Sequence, residues 1–353
     1  MKYLRNTWYV AMWAEQLKPG EFSTRTVLNE PIVLYRQPNG APAALFDRCP
    51  HRFAPLSRGK LLPGGALQCG YHGLQFDAAG ACVRNPHGDG KLPPAKARAY
   101  PVVERHSIVW IWMGEAAKAD PAIIPDFPML DENSGHQLSA RDWIRMEANY
   151  ELITDNLLDL SHVSFLHEDI LGNAETIPAA IKVEQSGNRI TARRFMPNVH
   201  AIGLFDLLYH RDGRPVDMWT DMRWDAPGCM LNDAGVTEPG GTRAQGTGIF
   251  GTHFLTPETD RSTIYHFCAA RQNPLPVSPE IAADLRTKLT ELRRIAFGEQ
   301  DEPMIRAQQA AFDRAAPGEL RPTLLTIDAG PVRYKQILER LIARESAAQE
   351  QVA

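Results

Sequence analysis

Two cysteines and two histidines lie close together in the stretch CPHRFAPLSRGKLLPGGALQCGYH, residues 49–72. Cys49 and His51 form a C-x-H pair, and Cys69 and His72 form a C-x-x-H pair. Thiolates are soft ligands that suit iron–sulfur clusters, Cu(I) or zinc, whereas imidazole suits zinc, iron and copper. The four side chains therefore predict a metal site, and the glycines around both pairs allow the backbone to approach it closely.

The spacing distinguishes two kinds of metal site. In a zinc finger both cysteines precede both histidines, whereas each pair here contains one of each. In a Rieske [2Fe–2S] centre, two histidines replace two cysteines on one of the two irons. Two similar loops can then approach the cluster from both sides. The sequence favours a Rieske cluster held by Cys49, His51, Cys69 and His72, with a structural zinc ion as the alternative.

A second group of candidate ligands, Asp159, His162 and His167, lies in residues 149–167, which we predict to be a helix. Asp159 and His162 are three residues apart and would share a helix face. His162 and His167 would lie about 140° apart around an ideal helix, so both reach one metal only if the helix ends or distorts, for example at a π-bulge. On spacing alone, a partly buried helix with two incidental histidines is the alternative.

The segments CPHRFAPLSRGKL and LQCGYHGLQFD resemble the cluster-binding segment of the Rieske non-haem iron oxygenases. RNTWYVA near the N-terminus and YPVVER at residues 100–105 resemble the same family. The resemblance runs along nearly the whole chain and is closest to the oxygenase components of the vanillate O-demethylase, dicamba monooxygenase and toluenesulfonate methyl monooxygenase group. It implies an α+β fold, in which an all-β Rieske domain precedes an antiparallel-sheet helix-grip catalytic domain.

The resemblance also implies roles for the second group. His162 and His167 match the two histidine ligands of a mononuclear Fe(II), which leaves positions open for O2. Asp159 matches a residue that lies between the cluster of one subunit and the iron of the next, in a ring of three subunits. We therefore expect His72 to reach Asp159 across a subunit interface and Asp159 to reach His162. Asn156 matches a residue found near the iron.

The carboxylate ligand must come from another part of the chain. The family places it on a late helix, and the matching run FGEQDEPMIRAQQ points to Asp301. Glu299 and Glu302 are rivals in the same run, because helical spacing does not separate the three acidic residues.

The substrate pocket is less clearly marked. In the dicamba-type relatives, an Asn and a His on strands hold the substrate carboxylate, and Asn232 and His253 match them. A Trp on the late helix completes that site in the relatives, but its position matches Leu292 here, so the dicamba substrate does not transfer. A hydrogen-bonded strand pair without a ligand is the alternative interpretation of Asn232 and His253.

Composition excludes several classes of protein. The chain has 353 residues, of which 44% are hydrophobic and 23% charged, and a net charge of −4. It has no basic surface signature for nucleic acid and no apolar run near the ~20 residues that span a bilayer. Its N-terminus lacks signal-peptide features, so we expect a cytoplasmic protein. Five sparse cysteines do not form a disulfide framework.

The elements that must position these residues change in character along the chain. Short strand-like runs dominate the first 115 residues, and a proline-dotted connector follows at 118–128. Further strands and two late helices, at 279–297 and 334–350, come after the predicted helix. We therefore predict a Rieske domain at 1–120 and a catalytic domain at 121–353, with the boundary somewhere in 115–140.

The expected function is that of the terminal oxygenase of a two-component Rieske monooxygenase. Its cofactors are a [2Fe–2S] cluster and mononuclear Fe(II), with O2 as co-substrate. Its partner is a reductase that carries flavin and a [2Fe–2S] centre and uses NAD(P)H. The substrate is a small aromatic acid, most simply a methoxybenzoate such as vanillate. The alternatives are a methyl hydroxylase of aryl sulfonates or carboxylates, a ring-hydroxylating dioxygenase, an electron carrier, and a zinc-stabilised binding module.

Overall fold

The computed structural model describes residues 3–316 and 318–350. The described chain divides into two compact units. One ends at Phe127 and also includes Thr256–Asp260, and the other contains the rest.

The first unit is built from three small antiparallel sheets. Their strand orders are β1-β11-β10, β2-β3-β4-β9 and β5-β6-β7-β8. The strands are β1 (Trp8–Trp13), β2 (Ser23–Val27), β3 (Glu30–Arg36), β4 (Pro42–Phe46), β5 (Lys60–Leu61), β6 (Leu67–Gln68), β7 (Gln75–Phe76), β8 (Cys82–Arg84), β9 (Ala99–Tyr100), β10 (Val102–Arg105) and β11 (Ile108–Trp112). Aromatic and β-branched residues fill β1 and β11, which are buried throughout, as such residues favour strands.

The sheet with the shortest strands, β5–β8, lies beside the two Cys/His pairs. Leu67 on β6 and Phe76 on β7 are fully buried and pack in one core with Cys49 and Cys69. This core holds the two cysteine-bearing loops against each other, so the metal site rests on a packed apolar layer.

The second unit is organised around one antiparallel sheet of seven strands, in the order β12-β18-β17-β16-β15-β14-β13. The strands are β12 (Asp142–Met146), β13 (Ile181–Ser186), β14 (Arg189–His200), β15 (Pro215–Asp225), β16 (Cys229–Thr237), β17 (Thr247–Thr259) and β18 (Ser262–Gln272). In the register of β16 and β17, Met230 pairs with His253 and Asn232 pairs with Gly251.

Helices in the described chain accompany this sheet. They are α1 (Tyr150–Leu158), α2 (Gly203–Leu208), α3 (Pro279–Arg294), a π-helix (Ile295–Asp301), α4 (Glu302–Arg314) and α5 (Ala329–Glu350). Ser278 caps α3 and Pro279 follows as its first residue, a position that proline favours because its missing N–H is not needed there. None of the helices in the described part of the chain is both long and apolar enough to cross a bilayer.

The predicted helix over 149–167 is wrong in its second half. Asn149 caps α1, but α1 ends at Leu158 and His162 begins a separate 3₁₀ turn. Asp159 explains the ending, because its carboxylate accepts hydrogen bonds from the backbone N–H and hydroxyl of Ser161. Aspartate side chains that bond the backbone two residues on compete with helical hydrogen bonding. Asp159 and His162 therefore do not share a helix face.

Candidate metal centres

The first cysteine loop is closed by two backbone hydrogen bonds. The N–H of Cys49 donates to the carbonyl of Ala54 at 2.8 Å, and the N–H of Phe53 donates to the carbonyl of Cys49 at 2.9 Å. Phe53 has a φ of 60°, a left-handed conformation that is unusual for a bulky residue. The loop therefore turns tightly around Cys49 and leaves the Phe53 side chain 67% exposed.

The second cysteine loop repeats this pattern. The N–H of Cys69 donates to the carbonyl of Leu74 at 2.8 Å, and the N–H of Gly73 donates to the carbonyl of Cys69 at 2.9 Å. Gly73 has a φ of 72° and stands where Phe53 stands in the first loop. The two loops thus have equivalent backbones, as expected for a pair of arms that hold one cluster from two sides.

The four predicted cluster residues lie together. Cys49 and Cys69 are buried at 2% exposure each, and the ring centroids of His51 and His72 are 4.7 Å apart. Burial and the neighbouring Cys69 thiol together raise the pKa of the Cys49 thiol to about 11, against the opposing effect of backbone N–H groups. Two buried sulfurs beside two outer imidazoles fit the donor set of a Rieske cluster.

Two glycines allow the loops to meet. A Cβ atom on Gly59 would lie 1.9 Å from the carbonyl oxygen of Gln68, and a Cβ atom on Gly70 would lie 2.6 Å from that of Arg58. No side chain fits at such distances, so only glycine permits this approach of backbone to backbone.

The loop at residue 87 supports the second arm from outside. His87 is exposed, and its Nε2 lies 2.7 Å from the carbonyl oxygen of His72. An N–H at Nε2 can donate to that oxygen, so His87 helps to fix the backbone that presents the His72 ring.

The second candidate centre is formed by His162, His167 and Asp301. Oδ1 of Asp301 lies 3.7 Å from Nε2 of His162 and 3.3 Å from Nε2 of His167. One ligand atom from each residue lies within 4.8 Å of the others. Two imidazoles and a carboxylate on one side of a site are the donor set of non-haem Fe(II) oxygenases. The geometry therefore fits a mononuclear iron.

The structure separates Asp301 from its two rivals. Asp301 is 2% exposed and faces the histidines, whereas Glu299 is exposed and Glu302 pairs with Arg306. The π-helix makes this separation, since the N–H of Glu302 bonds to the carbonyl of Phe297 five residues back. The π-bulge considered for the histidine segment thus occurs on the other side of the site, beneath the carboxylate.

Both histidines are oriented by contacts at Nδ1. The Nδ1 of His162 lies 2.5 Å from the carbonyl oxygen of Asp159, and that of His167 lies 2.7 Å from Oε1 of Gln300. Because these oxygens can only accept, each Nδ1 carries the hydrogen and each Nε2 keeps a lone pair for a metal. Burial lowers the pKa of His162, which favours the neutral ring that ligation requires.

Asn156 and Asp159 lie next to this centre. Nδ2 of Asn156 donates to Oδ1 of Asp301 at 3.0 Å and so ties α1 to the π-helix. The carbonyl group of Asp159, rather than its carboxylate, makes the contact to His162. The Asp159 side chain instead lines a groove on the surface, together with Asn156 and His162.

Sequence reasoning missed a buried arginine that braces the histidine segment. Arg194 on β14 is 2% exposed and donates to the carbonyl of Leu160 at 2.7 Å. It also contacts the hydroxyl of Ser164 and the carbonyl of Thr176. Since these three groups flank the two histidines, Arg194 fixes the non-helical backbone that carries them.

The second centre opens into a largely apolar cavity of about 80 Å³. An apolar lining with a few polar groups is typical of sites that bind small molecules. The lining includes the three candidate ligands and the three predicted substrate residues, Asn232, His253 and Leu292, together with Leu157, Leu160, Val163, Ile170, Leu171, Leu204, Thr220, Met222, Ile249, Gly251, Arg293, Ala296 and Phe297.

Asn232 and His253 face one another beside Gly251. A Cβ atom on Gly251 would lie 3.3 Å from Nε2 of His253 and 3.5 Å from Cβ of Asn232. Nε2 of His253 and Oδ1 of Asn232 are buried without hydrogen-bond partners in the described chain. Burial and the nearby Arg293 hold the pKa of His253 well below its ordinary value, so the ring is neutral. Unpaired buried polar atoms in a cavity indicate a ligand that satisfies them.

Comparisons with known proteins agree with this geometry. The family model described as "Rieske [2Fe-2S] domain" matches residues 7–101. The model described as "Vanillate O-demethylase oxygenase C-terminal domain" matches residues 146–344, more than half of the chain. The two matches cover the cluster loops and the second centre respectively.

Full-length relatives point to the same group. The chain is 36% identical to the dicamba O-demethylase oxygenase component of Stenotrophomonas maltophilia, over 98% of this chain and 100% of the relative. It is 35% identical to the vanillate O-demethylase oxygenase subunit of a Pseudomonas species, over 92% and 98%. The crystal structure of dicamba monooxygenase bound to 3,6-dichlorosalicylic acid superposes with a TM-score of 0.92, over 98% of this chain and 100% of that chain at 36% identity.

Proposed function

Because the chain belongs to the Rieske non-haem iron oxygenases, as an oxygenase component of the O-demethylase group, we propose that it hydroxylates a methyl or O-methyl group of an aromatic acid. O-demethylation of a methoxybenzoate such as vanillate is the reaction we favour. The observation that carries the proposal is the group of two histidines and one carboxylate that opens into an apolar cavity.

The proposed metal ligands follow from the two donor sets. Cys49, His51, Cys69 and His72 hold the [2Fe–2S] cluster, and the second centre holds the mononuclear iron through His162, His167 and Asp301. When bound, the cluster passes on single electrons and the mononuclear iron supplies the oxidation of the substrate by O2.

The chain's own residues prepare the reaction. Oxygens at both Nδ1 atoms orient the two imidazoles so that each Nε2 faces the site, and Asn156 donates to one oxygen of Asp301. The apolar walls exclude water and receive the aromatic ring, while Asn232 and His253 bind the acid group. This arrangement leaves the methyl group to face the iron ligands, where position rather than acid–base chemistry by the protein decides which carbon reacts.

The products follow from the position of the methyl group. Hydroxylation of an O-methyl group consumes one O2, two electrons and two protons, and yields a hemiacetal and water. The hemiacetal then breaks its O–CH2 bond to give a phenol and formaldehyde. An aryl methyl group with the same stoichiometry yields a stable alcohol, which would make the enzyme a methyl hydroxylase of aryl sulfonates or carboxylates.

We further propose that three copies form a ring in which His72 of one copy reaches Asp159 of the next. The Asp159 groove carries exposed apolar side chains, among them Phe165 at 69% exposure and Leu324 at 62%. Tyr71, beside His72, is also 62% exposed. Exposed apolar patches of this kind are typical of interaction surfaces. Asp159 is thereby placed to couple the cluster of one copy to the iron of its neighbour.

The electrons come from a separate reductase component with flavin and a [2Fe–2S] centre, reduced by NAD(P)H, and the system operates in the cytoplasm. The relatives are named as oxygenase components and subunits, which supports the need for a separate electron source.

The proposal is tested with purified protein, a matching reductase and NADH. Methoxybenzoates and methylbenzenesulfonates are offered, and O2 uptake, formaldehyde and alcohol products are measured. Formaldehyde in a 1:1 ratio to O2 supports O-demethylation, an aryl alcohol supports methyl hydroxylation, and a cis-dihydrodiol would instead identify a ring-hydroxylating dioxygenase.

The metal content separates the remaining alternatives. About three irons per chain and a red-brown cluster spectrum are expected. A colourless zinc protein would identify a binding module, and about two irons per chain would identify an electron carrier.

A further inference from the structure

Arg293 is a buried cation in the wall of the cavity. It is the next-to-last residue of α3, is 6% exposed, and lines the cavity together with Asn232 and His253. Its guanidinium donates one hydrogen bond, from Nη1 to the hydroxyl of Ser139 at 3.2 Å, and Nη2 has no partner among the described residues. Buried guanidinium groups are usually paired with carboxylates, because an isolated charge is costly to remove from water.

No acidic residue in the described chain pairs with Arg293. Asp142 acts on it only at longer range, and both oxygens of Asp142 are bound by Arg294. The hydroxyl of Tyr265 and the thiol of Cys268 lie nearby, but burial raises the pKa of both groups, so they stay neutral. The positive charge is therefore uncompensated within this part of the protein.

Aromatic rings hold the guanidinium in place without neutralising it. Its carbon lies 5.0 Å from the ring centre of Phe267 and 5.6 Å from that of Phe297. Phe297 also packs against His253, with ring centres 5.5 Å apart. Cation–π contacts attract the charge but offer no acceptor for its N–H groups. The guanidinium is thus preorganised with donor capacity unused.

His253 adds a second donor to the same wall. The Tyr265 hydroxyl lies 2.5 Å from Nδ1 of His253 and keeps its proton, so it can donate to that nitrogen. Nε2 then carries the hydrogen of the neutral ring, and Nε2 has no partner. Arg293 and His253 together therefore offer N–H groups. The Asp301 carboxylate also lines the cavity, but it contacts His162, His167 and Asn156 instead.

We propose that Arg293 is the charge-selecting residue of the substrate site and binds the anionic group of an aromatic acid. The inference rests on the proposed function and deepens it, because it assigns the preference for an anion to one residue that aligns with no part of the Asn/His/Trp pattern. A planar guanidinium fork suits a carboxylate and also accepts a sulfonate, so the bound group is an aryl anion of either kind.

The test measures binding to the iron-loaded protein by calorimetry under anaerobic conditions, without reductase. The probes are matched pairs, 3-methoxybenzoate against 3-methoxybenzamide and 4-methylbenzenesulfonate against its sulfonamide. We expect the wild type to bind the anion of at least one pair more than tenfold tighter than the amide. Arg293→Gln then lowers the affinity for the anion by about 10- to 100-fold and the affinity for the amide by less than about threefold.

Arg294→Gln is the matched control, since it removes the same charge from the neighbouring, exposed position. We expect it to leave the affinity for both members of each pair unchanged. Arg293→Lys keeps the charge without the fork and weakens the anion less than Arg293→Gln does. The visible spectrum and the retained amide binding show that each variant is folded.

Equal weakening of anion and amide in Arg293→Gln overturns the proposal, because it is the signature of a purely structural role. A wild type that prefers neither anion also overturns it. Formaldehyde release is measured separately with reductase. If no formaldehyde forms while the anion preference depends on Arg293, the demethylase function fails and the assignment of Arg293 stands.

Discussion

The two candidate centres are assembled in opposite ways. The proposed cluster ligands lie within residues 49–72, on two loops with the same hydrogen bonds and equivalent left-handed residues. The second centre joins a 3₁₀ turn after α1 to a π-helix far along the chain, and its carboxylate is held by Asn156. The first site is local and repetitive, whereas the second depends on packing of the whole catalytic unit. A substitution that destroys one centre should therefore leave the other centre intact.

Loss of a cluster ligand should have the largest effect. Cys69→Ser replaces a proposed thiolate ligand that is buried in the core joining the two loops, so we expect a protein without the red-brown spectrum, without turnover, and with an unstable first unit. Iron analysis should still find the mononuclear site filled. Turnover by a variant without cluster absorbance would show that the cluster is not needed.

Asp301→Ala should abolish turnover while sparing the cluster. It removes one of the three proposed iron ligands and the acceptor for Asn156, and we expect iron to fall from about three to about two per chain with an unchanged spectrum. Glu299→Ala, at an exposed position of the same π-helix, is the control and should keep all three. If Glu299→Ala loses iron instead, the assignment of the carboxylate is wrong.

Asp159→Asn should keep both metals and lower turnover by at least about 100-fold, since electron transfer between copies is proposed to pass through its carboxylate. Single-turnover product formation after reduction of the cluster is the measurement. Glu168→Gln removes a charge from an exposed site in the same segment and should react at the wild-type rate. A normal single-turnover rate in Asp159→Asn would remove this residue from the electron path.

Gly70→Ala should have the smallest effect of the four. Its methyl group would lie 2.6 Å from the carbonyl oxygen of Arg58, and such overpacking costs about 1–3 kcal/mol. We expect a lower thermal midpoint for loss of cluster absorbance. The added Cβ atom of Gly64→Ala would have no atom within 4 Å, so its thermal midpoint should match that of the wild type. Equal midpoints in the two variants would mean that the contact between the loops is not tight.

The difference between the centres also explains what sequence could predict. The four cluster residues could be grouped from spacing alone because their order along the chain reflects two local loops. Asp301 was selected only through a family resemblance, because three acidic residues lie in one run of the sequence. The π-helix determines which of the three faces the histidines, and the sequence pattern does not predict a π-helix there. The end of α1 was missed because the side chain of Asp159 overrides an otherwise helical pattern.

Arg293 shows a further limit of sequence. Arg293 and Arg294 are adjacent residues of the same type, yet Arg293 is only 6% exposed, whereas Arg294 is exposed and bound to Asp142. Helical periodicity places neighbouring residues about 100° apart, but only the packing of Phe267 and Phe297 reveals which of them faces the cavity.

The π-helix introduces a phase offset between α3 and α4. Each turn closed by a bond to the fifth residue holds one residue more than an α-helical turn, so the periodicities on either side of residues 295–301 do not continue into one another. Gln300 and Asp301, consecutive in the chain, consequently contact opposite nitrogens of the His167 ring. These two contacts, one at each ring nitrogen, fix the orientation of the His167 imidazole.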